Sequence, residues 1–156
     1  MPSYNNKKSK KQAFKDKSGF YTTPERSAIM SRIKGKDTKP EKKLRIALWR
    51  RGFRYRLHAK SLPGSPDLVF PKQRLAVFID GEFWHGFNWE ERKAKLKTNR
   101  DYWIPKIERN MARDEKNNLA LERAGWTVIR FWSKEVEKDL EQCLETIAFH
   151  LGYYQE

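Results

Sequence analysis

Two apolar runs separated by a short turn limit the fold of this chain more than any other feature. The first covers residues 67–70 and the second covers residues 75–80. Both have the length of buried strands, and the second is apolar at every position except its last, which is typical of a central strand. Because the connecting turn is short, we expect the two strands to pair antiparallel.

The residues before these runs predict two helices and one further strand. A threonine before Pro24 caps a short helix over residues 27–34. Thr38 begins a capping box and opens a second helix, which ends at Gly52. Residues 53–57 alternate apolar and basic side chains, as a half-buried strand does. This strand would complete an antiparallel meander.

The second half of the chain predicts a long helix, a fourth strand and a final helix. The long helix begins at about Asp101 or Ile104 and ends at Ala124, with Pro105 in its first turn. Residues 126–131 form the fourth strand, and Ser133 caps the final amphipathic helix. The fold class is therefore α/β, with a single mixed sheet of about four strands flanked by helices.

Charge is distributed unevenly along the chain, whose net charge is +14. Between Arg32 and Lys60 there are twelve basic and two acidic residues, whereas from residue 133 onward the balance is two to six. This asymmetry predicts a nucleic-acid-binding face on the N-terminal half, which includes Arg32, Lys34 and Lys36. Solvated surface lysines are the alternative.

Residues 1–21 carry several lysines and little that could form a core, so we expect a disordered basic arm before a single domain over residues 22–156. This arm either contacts DNA or is a solubilising tail. No apolar run approaches the ~20 residues of a membrane-spanning helix and no signal-peptide pattern is present, so we expect a soluble intracellular protein. Cys143 is the only cysteine and predicts neither a disulfide nor a thiolate zinc cluster.

Acidic residues and a histidine lie at the ends of the two apolar runs. Asp67 begins the first, and Asp80, Glu82 and His85 fall at or beyond the end of the second. Carboxylates bind hard cations such as Mg²⁺, and a cation facing a polyanion is suited to phosphodiester hydrolysis. We expect Asp67 to hold the metal and His85 to be the general base of a DNA-cutting enzyme. A turn aspartate and a structural imidazole are the alternatives.

Three aromatic side chains, Phe83, Trp84 and Trp103, lie near these groups in the sequence. Phe83 and Trp84 are adjacent, so in an extended segment they would point in opposite directions. Each ring is either part of the core or a wedge that inserts between DNA bases.

With these residues placed, the chain resembles the very short patch repair (Vsr) DNA mismatch endonucleases from about residue 22 to residue 135. The matching segments are residues 31–38, 40–41, 62–67, 80–81, 83–86, 102–107, 110, 113–114 and 125–126. The resemblance implies a restriction-endonuclease-like fold and the nicking of one DNA strand beside a T:G mismatch left by deamination of 5-methylcytosine.

By this resemblance, Asp67 would bind Mg²⁺, the backbone carbonyl of Ile79 would be a second metal contact, and His85 would be the general base. Glu41 and Asp114 would reach the metal through water.

The resemblance also implies that the aromatic trio inserts into DNA at the mismatch. It implies a monomer acting on double-stranded DNA in the bacterial cytoplasm, at the nucleoid, with a functional link to a DNA cytosine methyltransferase and to mismatch-repair proteins.

The sequence departs from the family at the positions that bind a structural zinc through cysteine and histidine. These positions here are Glu82, Phe87, Trp89 and Lys134. We therefore predict no structural zinc, and a loop held instead by the packing of Phe87 and Trp89. Glu82 also forms an Asp80-x-Glu82 pair, which is a second candidate for an acidic metal site.

Two other functions remain open from the residues alone. One is a restriction-type or defence nuclease that ignores mismatches. The other is a DNA-binding module without catalysis, because the zinc ligands are missing. The presence of every acid and of the histidine favours the mismatch endonuclease.

Overall fold

The computed structural model describes residues 14–15 and 21–154. Its elements in chain order are β1 (Phe14–Lys15), β2 (Tyr21–Thr22), α1 (Pro24–Ser31), α2 (Lys39–Arg50), β3 (Arg56–Leu57), β4 (Leu68–Phe70), β5 (Leu75–Asp80), α3 (Trp89–Lys95), α4 (Arg100–Arg123), β6 (Thr127–Trp132), α5 (Ser133–Lys138) and α6 (Leu140–His150). Among the residues described, none of the helices has the length and apolar character that crossing a membrane requires.

Strands β3 to β6 form one mixed sheet in the order β3-β4-β5-β6. The β3-β4 and β4-β5 pairs are antiparallel, which confirms the predicted meander, and β6 joins β5 in parallel. A parallel neighbour needs a long crossover, and α3 and α4 lie within that connection. The sheet flanked by helices confirms the predicted fold class.

β5 is the centre of the sheet and of the core. All six of its residues are buried because both faces of the sheet are covered. On one face Val77 and Ile79 pack with residues of α2, α5 and α6; on the other face Phe78 packs with Leu121 of α4. The strand that carries the candidate acids therefore has a fixed position between two packed layers.

Thr23 and Thr38 are the N-caps of α1 and α2, as predicted, but α1 covers Pro24–Ser31 instead of residues 27–34, and Ser133 is the first residue of α5 and not its cap. The Thr23 hydroxyl accepts a hydrogen bond from Arg26 N–H at the start of α1. The Thr38 hydroxyl accepts one from Glu41 N–H at the start of α2. The Glu41 carboxylate reaches one residue further back than in a standard capping box and accepts from Asp37 N–H at 2.9 Å.

Pro105 lies in the second turn of α4, not in its first, because the helix begins earlier than predicted. Asn99 precedes the helix with a φ of +54°, and its carbonyl accepts from Tyr102 N–H and Trp103 N–H. This tight turn starts the helix at Arg100. Pro105 is exposed, and it removes only one intrahelical hydrogen bond.

The single final helix that we predicted is wrong, because the chain forms α5 and α6 with a break at Asp139. Asp139 has φ −138° and ψ 63°, and its carboxylate accepts from Gln142 N–H at 3.2 Å. An aspartate that caps a following helix competes with continuation of the preceding one. The predicted loop after β5 also contains an unpredicted short helix, α3, and the predicted strand over residues 53–57 is reduced to β3.

The predicted N-terminal arm falls mainly outside the described residues. Within residues 1–21 the structure describes β1 and the first residue of β2, which pairs antiparallel with β1. The boundary between an arm and a domain at residue 22 stays a prediction.

Candidate active site at the end of the central strands

A polar cavity of about 530 Å³ opens where β5 ends. The carboxylates of Asp67, Asp80 and Asp114 and the imidazole of His85 line it, so the structure brings together four of the predicted site residues. The cationic side chains in its wall are those of Lys36, Arg113 and Arg130. An acidic floor with basic groups around it can hold a cation and a phosphate side by side.

Asp67 lies beside Ile79, as the predicted antiparallel pairing of the two strands requires. Its Oδ2 accepts a hydrogen bond from Ile79 N–H at 2.8 Å. Burial raises the pKa of Asp67 to about 6, against the opposing effect of that hydrogen bond, and the negative charges of Glu41 and Asp80 add to the increase. A nearby cation would therefore stabilise the ionised form of the Asp67 carboxylate.

His85 is paired with Asp114 of α4. Its Nδ1 lies 2.5 Å from Asp114 Oδ2 and 3.8 Å from Asp80 Oδ1. Burial lowers the pKa of His85, but the hydrogen bond to Asp114 and the charges of Asp80 and Asp114 raise it more, so that the pKa lies above its ordinary value. The geometry places Asp114 directly against the imidazole, whereas the family resemblance implied a role through metal-bound water.

Asp80 is buried and is neutralised by Arg130 of β6. Arg130 Nη1 lies 3.1 Å from one Asp80 oxygen and 2.8 Å from the other. Glu82 does not line the cavity, and its carboxylate accepts from Lys134 N–H at 2.7 Å. The structure therefore does not form the Asp80-x-Glu82 metal site considered above.

Glu41 is buried at the start of α2, close to Asp37 and His58. One ligand atom from each of the three lies within 4.8 Å of the others. Asp37 also forms an ion pair with Arg45 at 2.7 Å, and hydrogen bonds from Arg45 and His58 lower the pKa of Asp37. The Glu41 carboxylate is oriented by donors of its own cap, and its negative charge is felt at Asp67.

The aromatic trio Phe83, Trp84 and Trp103 forms a compact stack outside the main core. The three ring centroids lie 5.1–5.5 Å apart in edge-to-face geometry. The rings are partly exposed and line a second cavity of about 440 Å³, which Met30 and Ile33 of the α1 region also line. Their position does not match the alternative of three core residues.

Of the three predicted DNA-binding cations, Lys36 lines one of these two cavities and Arg32 and Lys34 line neither. Arg32 and Lys34 are exposed at the end of α1, and Lys36 lines the acidic cavity.

The loop after β5 is held by the side chains that replace the family's zinc ligands. Glu82 binds the start of α5, as described above. Phe87 packs edge to face on Trp132, with ring centroids 5.1 Å apart. Trp89 is buried, and its Nε1–H donates to Glu108 at 3.2 Å. Packing by Phe87 and Trp89 matches the predicted manner of holding the loop.

Sequence reasoning missed Arg130, His58 and Arg113 as residues of the site. Arg130 had a signal, because it is a charged residue in a run that is otherwise apolar, and such a residue requires a partner in the core. His58 and Arg113 carried no local signal, since they are a polar loop residue and one basic residue among many on a helix.

Comparisons with known proteins match this chain to DNA endonucleases. The family model described as DNA mismatch endonuclease Vsr matches residues 18–91. The chain is 50% identical over 126 residues to the Type II nicking enzyme V.NmeDIP of Neisseria meningitidis serogroup C, covering 80% of this chain and 85% of that protein. It is 48% identical over 122 residues to the Type II nicking enzyme V.HpaIIP of Haemophilus parainfluenzae, covering 77% and 86%. It is 36% identical over 107 residues to the DNA mismatch endonuclease Vsr of Escherichia coli (strain K12), covering 69% and 68%.

Proposed function

Because the chain belongs to the Vsr family of DNA endonucleases, we propose that it is a Mg²⁺-dependent enzyme that nicks one strand of double-stranded DNA at a T:G mismatch. The observation that carries this proposal is the convergence of Asp67, His85 and Asp114 on one cavity that also contains cationic side chains. The partial exposure of the aromatic trio beside that cavity supports mismatched duplex DNA as the substrate.

His85 is the general base in this mechanism. With its proton on Nδ1, His85 donates a hydrogen bond to Asp114, which leaves the lone pair of Nε2 to accept a proton from an attacking water. The carboxylate also stabilises the imidazolium that forms, by the logic of a histidine oriented by an aspartate. Asp114 thus fixes both the tautomer and the direction of the base.

Asp67 would hold Mg²⁺ with the backbone carbonyl of Ile79. The donor set fits, because both ligands are oxygen atoms and Mg²⁺ prefers a few such ligands with water completing its shell. Burial first, and the negative charges of Glu41 and Asp80 second, raise the pKa of Asp67, and a divalent cation would offset both. When bound, the ion supplies charge stabilisation to the phosphate and to the leaving oxygen. Glu41 would orient water in this shell.

Phe83, Trp84 and Trp103 would insert at the mismatch, where pairing is weakened and unstacking needs less free energy. Their edge-to-face stack must open for this to happen. Arg32, Lys34 and Lys36 would hold phosphates of the same duplex. The enzyme would act as a monomer in the bacterial cytoplasm, at the nucleoid, in a repair route linked to a DNA cytosine methyltransferase and mismatch-repair proteins.

The proposal is tested with end-labelled duplexes that differ only in a T:G or a paired T:A position, incubated with Mg²⁺. We expect a nick confined to the T-bearing strand of the mismatched duplex, and its loss in Asp67→Ala and His85→Ala. Glu122→Gln, an exposed acid at the far end of α4, is the control variant and should cut normally. Equal cutting of both duplexes would favour a restriction-type nuclease, and binding without cutting would favour the DNA-binding module.

A further inference from the structure

Arg130 is fixed on three sides although the mechanism above assigns it no task. Its Nη1 binds both oxygens of Asp80, its Nε–H donates to Asn118 Oδ1 at 2.8 Å, and its guanidinium lies 3.9 Å from the centroid of the Phe78 ring. Phe78 and Asp80 belong to β5 and Arg130 to β6, so the parallel register of the two strands sets this contact.

The buried ion pair between Arg130 and Asp80 is not an efficient way to stabilise the fold. The side chains of Arg130 and Asp80 are only 19% and 8% exposed. Arg130 Nη2 is buried and has no hydrogen-bond partner among the described residues. Buried ion pairs rarely stabilise a fold more than apolar side chains of the same volume would, and an unsatisfied nitrogen adds to their cost. A role in the site gives a physical reason for the arrangement.

The pair is joined to the general base from two directions. Asp80 Oδ1 lies 3.8 Å from His85 Nδ1. Asp114, which binds His85, and Asn118, which binds Arg130, are four residues apart on one face of α4. One helix face therefore orients both the histidine and the arginine that controls its second acidic neighbour.

We infer that Arg130 is a positioning residue for the His85–Asp114 pair, which it serves by holding Asp80 beside the imidazole with both carboxylate oxygens occupied. Two consequences follow, and both rest on the proposed function. Asp80 is kept from becoming a metal ligand although it adjoins Ile79 in the chain. His85 then faces one carboxylate without a buried counter-charge, that of Asp114, whose cationic neighbour Arg113 is exposed and 3.8 Å away, instead of two.

The charged groups that face His85 come from three elements: Asp114 from α4, Asp80 from β5 and Arg130 from β6. Removing the Arg130 charge leaves Asp80 uncompensated and should favour the imidazolium. Removing the Asp80 charge leaves Arg130 uncompensated and should favour the neutral ring. If the Arg130–Asp80 pair only stabilised the fold, neutralising Arg130 and neutralising Asp80 would not shift the pKa of His85 in opposite directions.

The experiment uses Arg130→Met, Asp80→Asn and the double variant, with Arg123→Met as an exposed control on α4. The His85 Cε1–H resonance, assigned with His85→Gln, is followed by NMR against pH in the metal-free protein. We expect the titration midpoint to rise by about one unit in Arg130→Met, to fall by about one unit in Asp80→Asn, and to return near the wild-type value in the double variant. The control should not change it.

The acid limb of single-turnover nicking of the T:G duplex should move in the same directions, because His85 must be neutral to act. Arg130→Lys keeps the positive charge but not the planar guanidinium. Compared with Arg130→Met, it should return the His85 titration midpoint closer to the wild-type value than it returns the nicking rate. Midpoints that do not move, or that move in the same direction in both single variants, would overturn the inference. Wild-type protein that fails to nick would overturn the proposed function instead, since the NMR titration does not depend on activity. Were Arg130→Met not to fold, Asp80→Asn would still decide, because a midpoint that does not fall in that variant overturns the inference.

Discussion

At the scale of the residue, the fold without metal disfavours the ionised form of the Asp67 side chain. Its pKa is raised from 3.8 to about 6, so the folded state binds the proton more tightly than the unfolded state does. The stabilisation from protonation is fully present below pH 3.8 and is lost as the pH rises through about 6. The difference corresponds to about 3 kcal/mol, which the metal-free protein lacks at neutral pH.

We therefore expect Asp67→Asn to abolish nicking and to stabilise the metal-free protein at pH 7.5 by up to about 3 kcal/mol more than it does at pH 4. The amide oxygen can still accept the hydrogen bond from Ile79 N–H. Urea unfolding at the two pH values measures the effect, with Glu122→Gln as the matched exposed control. An equal change in unfolding free energy at both pH values would contradict this account of Asp67.

A second residue-scale prediction concerns Asp114. Asp114→Asn removes the negative charge that fixes the Nδ1–H tautomer and stabilises the imidazolium of His85. We expect single-turnover nicking to fall about 10²–10⁴-fold. Binding of the duplex without metal should be unchanged or slightly tighter, because one negative charge is lost. Asp101→Asn, at the exposed start of the same helix, is the control, and an unchanged nicking rate in Asp114→Asn would remove Asp114 from the mechanism.

At the scale of the element, the segment between β5 and α4 carries both the base and two of the aromatic rings, so its attachment decides the precision of the site. It is anchored by the contact of Phe87 with Trp132 and by the hydrogen bond that Lys134 N–H donates to Glu82. These contacts join the loop to the end of β6 and the start of α5, the places where a metal cross-link would otherwise act.

Phe87→Ala should thus lower the free energy of unfolding by about 1–3 kcal/mol and reduce nicking, since His85 loses the support of its loop. Thermal unfolding and the nicking rate measure the two effects. Phe149→Ala, which removes an exposed ring from α6, is the control for loss of an aromatic side chain. The wild-type protein should unfold at the same temperature with and without a chelator, and a large decrease with chelator would reveal a structural metal and contradict the packing account.

The element scale also explains which parts of the site could be predicted from sequence. Asp67 and His85 could be placed because a short turn joins their strands, so local pairing alone brings the strand ends together. The pairing of Asp80 with Arg130 could not, because it depends on a parallel contact between strands separated by two helices. Likewise, the break at Asp139 depends on competition between two caps. The apolar stripe continues through residue 139, so the hydrophobic pattern does not predict the break.

At the scale of the whole molecule, a chain of net charge +14 carries an acidic cavity at the end of its central strand β5. The long-range field attracts the DNA backbone, but the carboxylates of the cavity repel the phosphate that must enter it. Lys36 and Arg113 offset this repulsion locally, since both line the cavity and the Arg113 side chain is 59% exposed. The overall charge therefore governs the rate at which the protein and DNA meet. Lys36 and Arg113 govern the entry of the phosphate into the cavity.

Arg113→Ser and Lys36→Ser should each weaken metal-free duplex binding and reduce the slope of log K against log salt by about one, as expected for the loss of one phosphate contact. The effect should be the same for T:G and paired duplexes, because a phosphate contact does not read the bases. Lys116→Ser removes an exposed charge from α4 at a position that does not line the cavity. This control should lower affinity only slightly and leave the slope nearly unchanged. Equal slopes in all three variants would mean that net charge alone, and not the placement of cations around the acidic cavity, holds the DNA.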